Sequence, residues 1–273
     1  MSSVVNALKR RLSRLPEAHK KNIRRVAEVA LAVVPHRHDL SILCAKYGGD
    51  KLEHGYIQHY QRLFSSIRKR RLTVLEIGVG GYDDPYSGGE SLRMWRDFFP
   101  NSLIYGIDIF EKHGVDGRRI KTFQGDQSNA NFLMEVVSKI GRPDVIIDDG
   151  SHQNPHVIAS FSALFPYLAE DGFYAIEDLY TSYWKRMGGG WNNGLERNTS
   201  ISMLKGLIDA LNYRYIPHRK PSDVDLSIVS VHFFRKLAII QKGRNVLEEP
   251  EFILNDLRLE ECMGKEPYTE GSG

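Results

Sequence analysis

The stretch Asp144-Val-Ile-Ile-Asp148-Asp149-Gly150-Ser151-His152-Gln153-Asn154-Pro155 sets two adjacent acids after a short run of buried-strand character, with a histidine three positions on. Paired acids in that place are hard to explain as core. A second pair, Glu177-Asp178, follows the run Phe173 to Ile176. If the two runs are neighbouring strands, Asp149, Glu177 and Asp178 converge at one rim, where three carboxylates repel unless a cation lies among them. A hard divalent ion suits such an all-oxygen set, and Mg²⁺ completed by waters and substrate hydroxyls is the expected choice. Asn154 followed by Pro155 reads as an N-cap with proline at the first helical position. His152 then lies just ahead of a helix N-terminus, whose positive end favours the neutral ring that a general base needs.

Three further turns read as a nucleoside-sized cofactor site. After Val74-Leu-Glu76-Ile77 come Gly78, Gly80 and Gly81, which let the backbone approach a ligand closely. A G-x-G turn alone serves dinucleotides and plain loops equally. Glu76, two residues before the first glycine, suits a cationic amino-acid tail, and no complete G-x-G-x-x-G follows, so the reading turns toward S-adenosylmethionine. The insertion Tyr82-Asp-Asp-Pro-Tyr-Ser-Gly-Gly-Glu90 delays the next helix. Asp108, after the second run, can accept both ribose hydroxyls or serve as a cap. Asp126 and Gln127 offer an acid and an amide to an adenine edge, though Asp126 could equally form a turn.

Ligands of open parallel sheets bind outside the carboxyl ends of the strands, so these residues need an α/β frame. Short β-branched runs at Thr73 to Ile77, Leu103 to Ile107, Arg119 to Phe123, Asp144 to Ile147 and Phe173 to Ile176 predict strands. Helical patterns at Ser91 to Phe99, Asn129 to Ile140, Pro155 to Leu168 and Ser200 to Leu211 alternate with them, which calls for a parallel sheet covered on both faces. Leu226 to Phe234 and Leu237 to Gln241 are separated only by Arg235 and Lys236, too short a link for a parallel crossover, so they form an antiparallel hairpin. A seven-stranded, mostly parallel sheet that finishes in such a hairpin is the Rossmann-like layout of class I methyltransferases. Residues 1–70 read as a helical arm, with Pro16 inside a first start and Val26, Val29, Ala30 and Val33 at helix spacing before Pro35. Residues 71–245 are the expected catalytic domain and 246–273 a tail. Within Tyr183 to Ser200, the run Met187-Gly-Gly-Gly-Trp191-Asn-Asn-Gly194 reads equally as a lid or as an unstructured loop.

Composition excludes more than it assigns. With 273 residues, 41% apolar and 26% charged, the chain is neither fibrous nor low in core-forming residues. Only Cys44 and Cys262 occur, in neither a disulfide-scaffold nor a zinc-finger spacing, as expected of reduced thiols in a cytoplasmic protein. Lys and Arg number 37 against 34 Asp and Glu. The excess collects near the N-terminus and at Arg68 to Arg71, without the interleaved aromatics of a nucleic-acid reader. Val26 to Pro35 is far shorter than the ~20 residues of a membrane span and is not placed as a signal peptide.

The ordered set VLEIGVGG, GGESLRMW, GIDI, GDQ, IIDDGSH and IEDLYTSYW closely resembles the metal-dependent sugar O-methyltransferases of antibiotic biosynthesis, of the mycinamicin and elloramycin type, over about residues 45 to 242. The resemblance implies the class I fold, with S-adenosylmethionine and Mg²⁺ as cofactors and a glycosylated small molecule or saccharide as acceptor. It implies Mg²⁺ ligation by Asp149, Glu177 and Asp178 and base catalysis by His152. Cofactor contacts are implied at Glu76, Ile77, Gly78, Gly80, Tyr82, Ser91, Asp108 and Asp126, with Asp149 between metal and cofactor. The segment Tyr47 to Lys51 with His54 resembles the family's approach to the cofactor. A homo-oligomer is implied, with no nucleic acid or membrane partner, and where the antibiotic enzymes can carry a larger auxiliary domain this sequence places the short arm. Three alternatives stay open: a cephalosporin-hydroxylase-like branch of the superfamily, a catechol-type O-methyltransferase, and a nucleic-acid-binding or scaffold protein on the same fold. Against the catechol type stands its usual amide ligand, where only acids are present here.

Overall fold

A computed structural model describes residues 38–190, 198–216 and 218–246. The N-terminal arm up to Arg37, the loop residues Trp191 to Gly194 and nearly all of the tail therefore lie outside the described residues. In chain order the elements are α1 (Leu40–Tyr47), α2 (Ile57–Phe64), β1 (Thr73–Ile77), α3 (Glu90–Phe98), β2 (Leu103–Asp108), β3 (Ile120–Gln124) and α4 (Ala130–Ile140). Then follow β4 (Val145–Asp148), α5 (Asn154–Leu164), β5 (Phe173–Ile176), α6 (Ser200–Leu211), β6 (Ile228–Phe234) and β7 (Leu237–Lys242). The sheet has the expected seven strands in the order β3-β2-β1-β4-β5-β7-β6. β1, β4 and β5 pair in parallel, while β7 runs antiparallel to both β5 and β6. Arg235 and Lys236 close the hairpin as expected, Lys236 taking a positive φ of 68°. Among the described residues no helix is long and apolar enough to cross a membrane.

Two compact units divide the described chain. One takes residues 38–71, 79–104 and 112–121; the other takes 72–78, 105–111 and everything described from 122 onward. The first is built on aromatic packing. Tyr60 and Phe64 of α2 meet Trp95 of α3, the Tyr60 and Trp95 rings edge to face at 5.2 Å, and all three are buried. Each such side chain contributes about 1.5–3 kcal/mol through burial. The long insertion after β1 belongs to this unit and is internally tied. Asp84 accepts from Tyr86 N at 2.9 Å and Ser87 Oγ at 2.7 Å, and Lys112 Nζ donates to the carbonyls of Tyr82 and Asp84.

In the second unit β1, β4 and β5 are buried almost throughout and α4, α5 and α6 pack on the sheet through Leu133, Phe161, Leu164 and Leu204. Strand ends differ from the sequence reading by a residue for physical reasons. Asp144 stands one residue before β4, where its N–H donates to the Thr73 carbonyl and its Oδ2 accepts the Thr73 N–H, both at 2.8 Å. α5 ends at Leu164, not Leu168, because Pro166 has no N–H to continue it, and a 3-10 turn over Phe165–Tyr167 follows. The carbonyls freed there are collected by buried Lys242, whose Nζ donates to Phe165, Pro166 and Leu168 at 3.1, 2.8 and 3.0 Å.

Candidate active site

The parallel register sets the ends of three strands level. Ile77 pairs with Asp148, and Asp148 with Ile176. Asp149 N donates to the Ile77 carbonyl at 2.9 Å and Glu177 N to the Asp148 carbonyl at 3.0 Å, so the first acids past β4 and β5 are still held by the sheet. Gly78, at φ +91°, packs directly on this rim: a Cβ there would fall 2.1 Å from the Asp149 carbonyl oxygen, so only glycine fits.

Two side chains at the rim depart from ordinary backbone. His152 has φ 55° and Asp178 φ 51°, left-handed conformations that cost non-glycine residues energy and collect at functional sites. Thr181 Oγ1 holds the His152 carbonyl at 2.9 Å. His152 Nε2 lies 3.7 Å from Asp178 Oδ2 and 4.0 Å from Asp149 Oδ1, with side chains 24%, 11% and 26% exposed. An imidazole between two carboxylates at a strand-end rim can take a proton and be stabilised once it has done so.

Glu177 and Asp178 are both buried, and with Asp149 they offer only oxygen donors, a set that fits a hard divalent cation. Among the described residues no group of three or more His, Cys, Asp or Glu side chains stands close enough to hold a metal ion together.

The expected cofactor residues separate into groups. Glu76 and Ile77 are buried at the end of β1. Asp108 ends β2, and its Oδ1 accepts Phe110 N at 2.9 Å, which aims the carboxylate. A buried acid for an ammonium and an aimed carboxylate for a diol fit the amino-acid tail and ribose of S-adenosylmethionine. Asp126 Oδ1 accepts both Ser128 N and Ser128 Oγ at 2.8 Å, so one of its oxygens forms the turn, and these bonds hold the carboxyl below the usual range. Gln127 is placed otherwise than expected. It is buried, and its amide bonds Asp148, Ser160 and Ser151, which leaves no donor for an adenine edge. Gly80, Tyr82 and Ser91 belong to the other unit, where Ser91 lies in the first turn of α3 and Tyr82 is 86% exposed.

Asn154 also departs from the sequence reading. Gln153 takes the N-cap position, and Asn154 is the first residue of α5 with its side chain fully buried. Its Oδ1 accepts Ser200 N at 2.7 Å and the hydroxyls of Ser182 and Ser200 at 3.1 and 2.9 Å, while Nδ2 donates to the Met187 carbonyl at 2.9 Å. The polar N-P pair at a helix start was the available signal, but it reads as a cap.

Asp148, level with the rim but turned inward, is 1% exposed. Burial pushes its carboxyl up to about 6, against the opposing pull of Ser160 and Gln127. Since the folded value exceeds the unfolded 3.8, the stability this group contributes is full below about pH 4 and is lost as pH rises through about 6. Asp148→Asn is expected to flatten that slope, by up to about 3 kcal/mol at neutral pH. Urea unfolding across pH 4 to 8 checks it, and an unchanged slope rules Asp148 out as its source.

No family model matches the chain. Mycinamicin VI 2''-O-methyltransferase of Micromonospora griseorubida is 46% identical over 212 residues, which cover 76% of this chain and 53% of that protein. The 8-demethyl-8-(2-methoxy-alpha-L-rhamnosyl)-tetracenomycin-C 3'-O-methyltransferase of Streptomyces olivaceus is 42% identical over 228 residues, 82% of this chain and 58% of that one. Among solved structures, the MycE methyltransferase in complex with Mg, SAH and mycinamycin VI superposes with a TM-score of 0.76 at 44% identity, over 82% of this chain and 59% of that chain. The fold is thus the Rossmann-like fold of class I methyltransferases. This chain spans about half the length of the curated relatives it matches. Over 76–82% of its length the chain is similar to these sugar O-methyltransferases of macrolide and tetracenomycin biosynthesis.

Proposed function

We propose that this protein transfers a methyl group from S-adenosylmethionine to a sugar hydroxyl of a glycosylated natural product or saccharide, in a Mg²⁺-dependent reaction. The observation that carries this reading is the placement of His152 between Asp149 and Asp178 at the strand ends of a chain similar to these enzymes. Glu76 receives the cofactor's ammonium and Asp108 its ribose diol, with Gly78 letting the backbone approach. Asp149, Glu177 and Asp178 hold the cation. Bound together, S-adenosylmethionine supplies an electrophilic methyl and Mg²⁺ a positive charge that eases ionisation of the acceptor. His152 Nε2 takes the hydroxyl proton, and the flanking carboxylates stabilise the ring that results. Most of the acceleration comes from holding acceptor oxygen and methyl in line.

Residues 71–245 are the catalytic portion in this reading, supported by strands that all lie between Thr73 and Lys242. A cytoplasmic homo-oligomer completes it, supported by the reduced, buried thiol of Cys44 and by half-exposed Val229 and Phe233 on edge strand β6. The test is a screen of rhamnosides, macrolide glycosides and free saccharides with S-adenosylmethionine and Mg²⁺. S-adenosylhomocysteine released with a methylated sugar is expected. Methylation of a catechol but of no glycoside overturns the assignment.

A further inference from the structure

The turn that carries Asp149 and His152 packs directly on the side-chain amide of Gln127. Gln127, in the turn after β3, is 6% exposed. Its Nε2 donates to Asp148 Oδ1 at 3.1 Å and to Ser160 Oγ at 3.1 Å, and its Oε1 accepts Ser151 N at 2.7 Å. Both amide hydrogens and the oxygen are engaged. The fit is tight: a Cβ on Gly150 would stand 2.2 Å from Gln127 Oε1, so the backbone between Asp149 and Ser151 lies directly on the amide. Ser151 passes the hold onward, its Oγ accepting Gln153 N at 3.3 Å and pairing with His156 Nδ1 at 3.0 Å, so that the residues on both sides of His152 are tied.

Three donors share the Asp148 carboxylate: Gln127 Nε2, Ser160 Oγ and Gly150 N. Ser160 Oγ also donates to it, at 2.9 Å, so the end of β4 keeps a partner without Gln127. The Ser151 N–H is different, because the side-chain oxygen it meets is that of Gln127. The amide's distinctive work is therefore on the backbone just before His152. Its neighbour Asp126, the residue expected at the adenine edge, shapes the same turn by accepting Ser128 N at 2.8 Å.

We propose that Gln127 is a positioning residue: it fixes where His152 and Asp149 stand and joins their turn to the one carrying Asp126, without touching the cofactor. The proposal rests on the reading of His152 as the base. Gln127 acts on geometry in the reaction, so its loss lowers kcat and spares cofactor affinity.

The test pairs Gln127→Met, similar in volume but without the amide, with Ser160→Ala. For Gln127→Met, kcat is expected to fall about 10–100-fold, as when an orienting partner of a functional group is lost, while KM for S-adenosylmethionine stays within about threefold. The ¹⁵N ring signal of His152, read by NMR without acceptor, is expected to move. Ser160→Ala is expected to leave kcat and that signal in place. If Gln127→Met does not fold, Gln127→Asn, which withdraws the amide by one methylene, is expected to show the same split. An unmoved ring signal with wild-type kcat overturns the proposal. So does an equal disturbance in Ser160→Ala, which marks general loosening of the fold. The ring signal needs no turnover, so a wild-type protein that methylates no sugar overturns the function and leaves the positioning result readable.

Discussion

His152→Ala is expected to lower kcat for methyl transfer by about 10²–10⁴-fold, the range for removing a general base, while binding of S-adenosylhomocysteine is kept. The separation follows from how the site is built. The residues proposed to grip the cofactor, Glu76 and Asp108, end β1 and β2 and are held by the sheet and by the Phe110 N–H, independently of the imidazole. His152 instead stands on the turn after β4, between Asp149 and Asp178. Its left-handed backbone is one that asparagine tolerates as histidine does and alanine less well, so His152→Asn beside His152→Ala separates loss of the ring from strain in the turn. Rapid-quench single turnovers with a labelled methyl group, beside calorimetric titration of S-adenosylhomocysteine, give the two numbers. An active variant removes His152 from the chemistry.

Chelation of divalent ions is expected to be nearly as costly, about a hundredfold or more in turnover, because a cation at developing charge contributes several kcal/mol. Asp149, Glu177 and Asp178 share one rim through the β4–β5 register, and two of the three are buried. Mg²⁺ added back after EDTA should restore turnover. Calorimetric titration of Mg²⁺ should show a single site that Asp178→Asn weakens. Full turnover in EDTA removes the metal from the proposal.

Much of the frame was legible because the signals are local. Buried runs of four or five residues mark strands whatever surrounds them, and the two-residue link at Arg235-Lys236 admits only a hairpin. The acids at strand ends were legible for the same reason, since a carboxylate directly after an apolar run has few uses in a core. What escaped is the direction in which a polar side chain turns. Gln127 and Asp126 are adjacent and look alike as ligands for a base edge, yet the amide turns inward to Asp148 and Ser151 while the acid makes its own turn. Asn154 reads as a cap because Asn-Pro so often is one. Its actual partners, Ser182 and Ser200, lie far along the chain, and no periodicity points to them.

Those partners give Asn154 a part in how this scaffold holds together. One amide joins the start of α5 to Ser182, to Met187 and to the first residue of α6, so both feet of the segment between β5 and α6 stand on a common footing. The start of α5, the turn at Ser182 and the start of α6 are thereby coupled through one side chain, so its loss unties all three together.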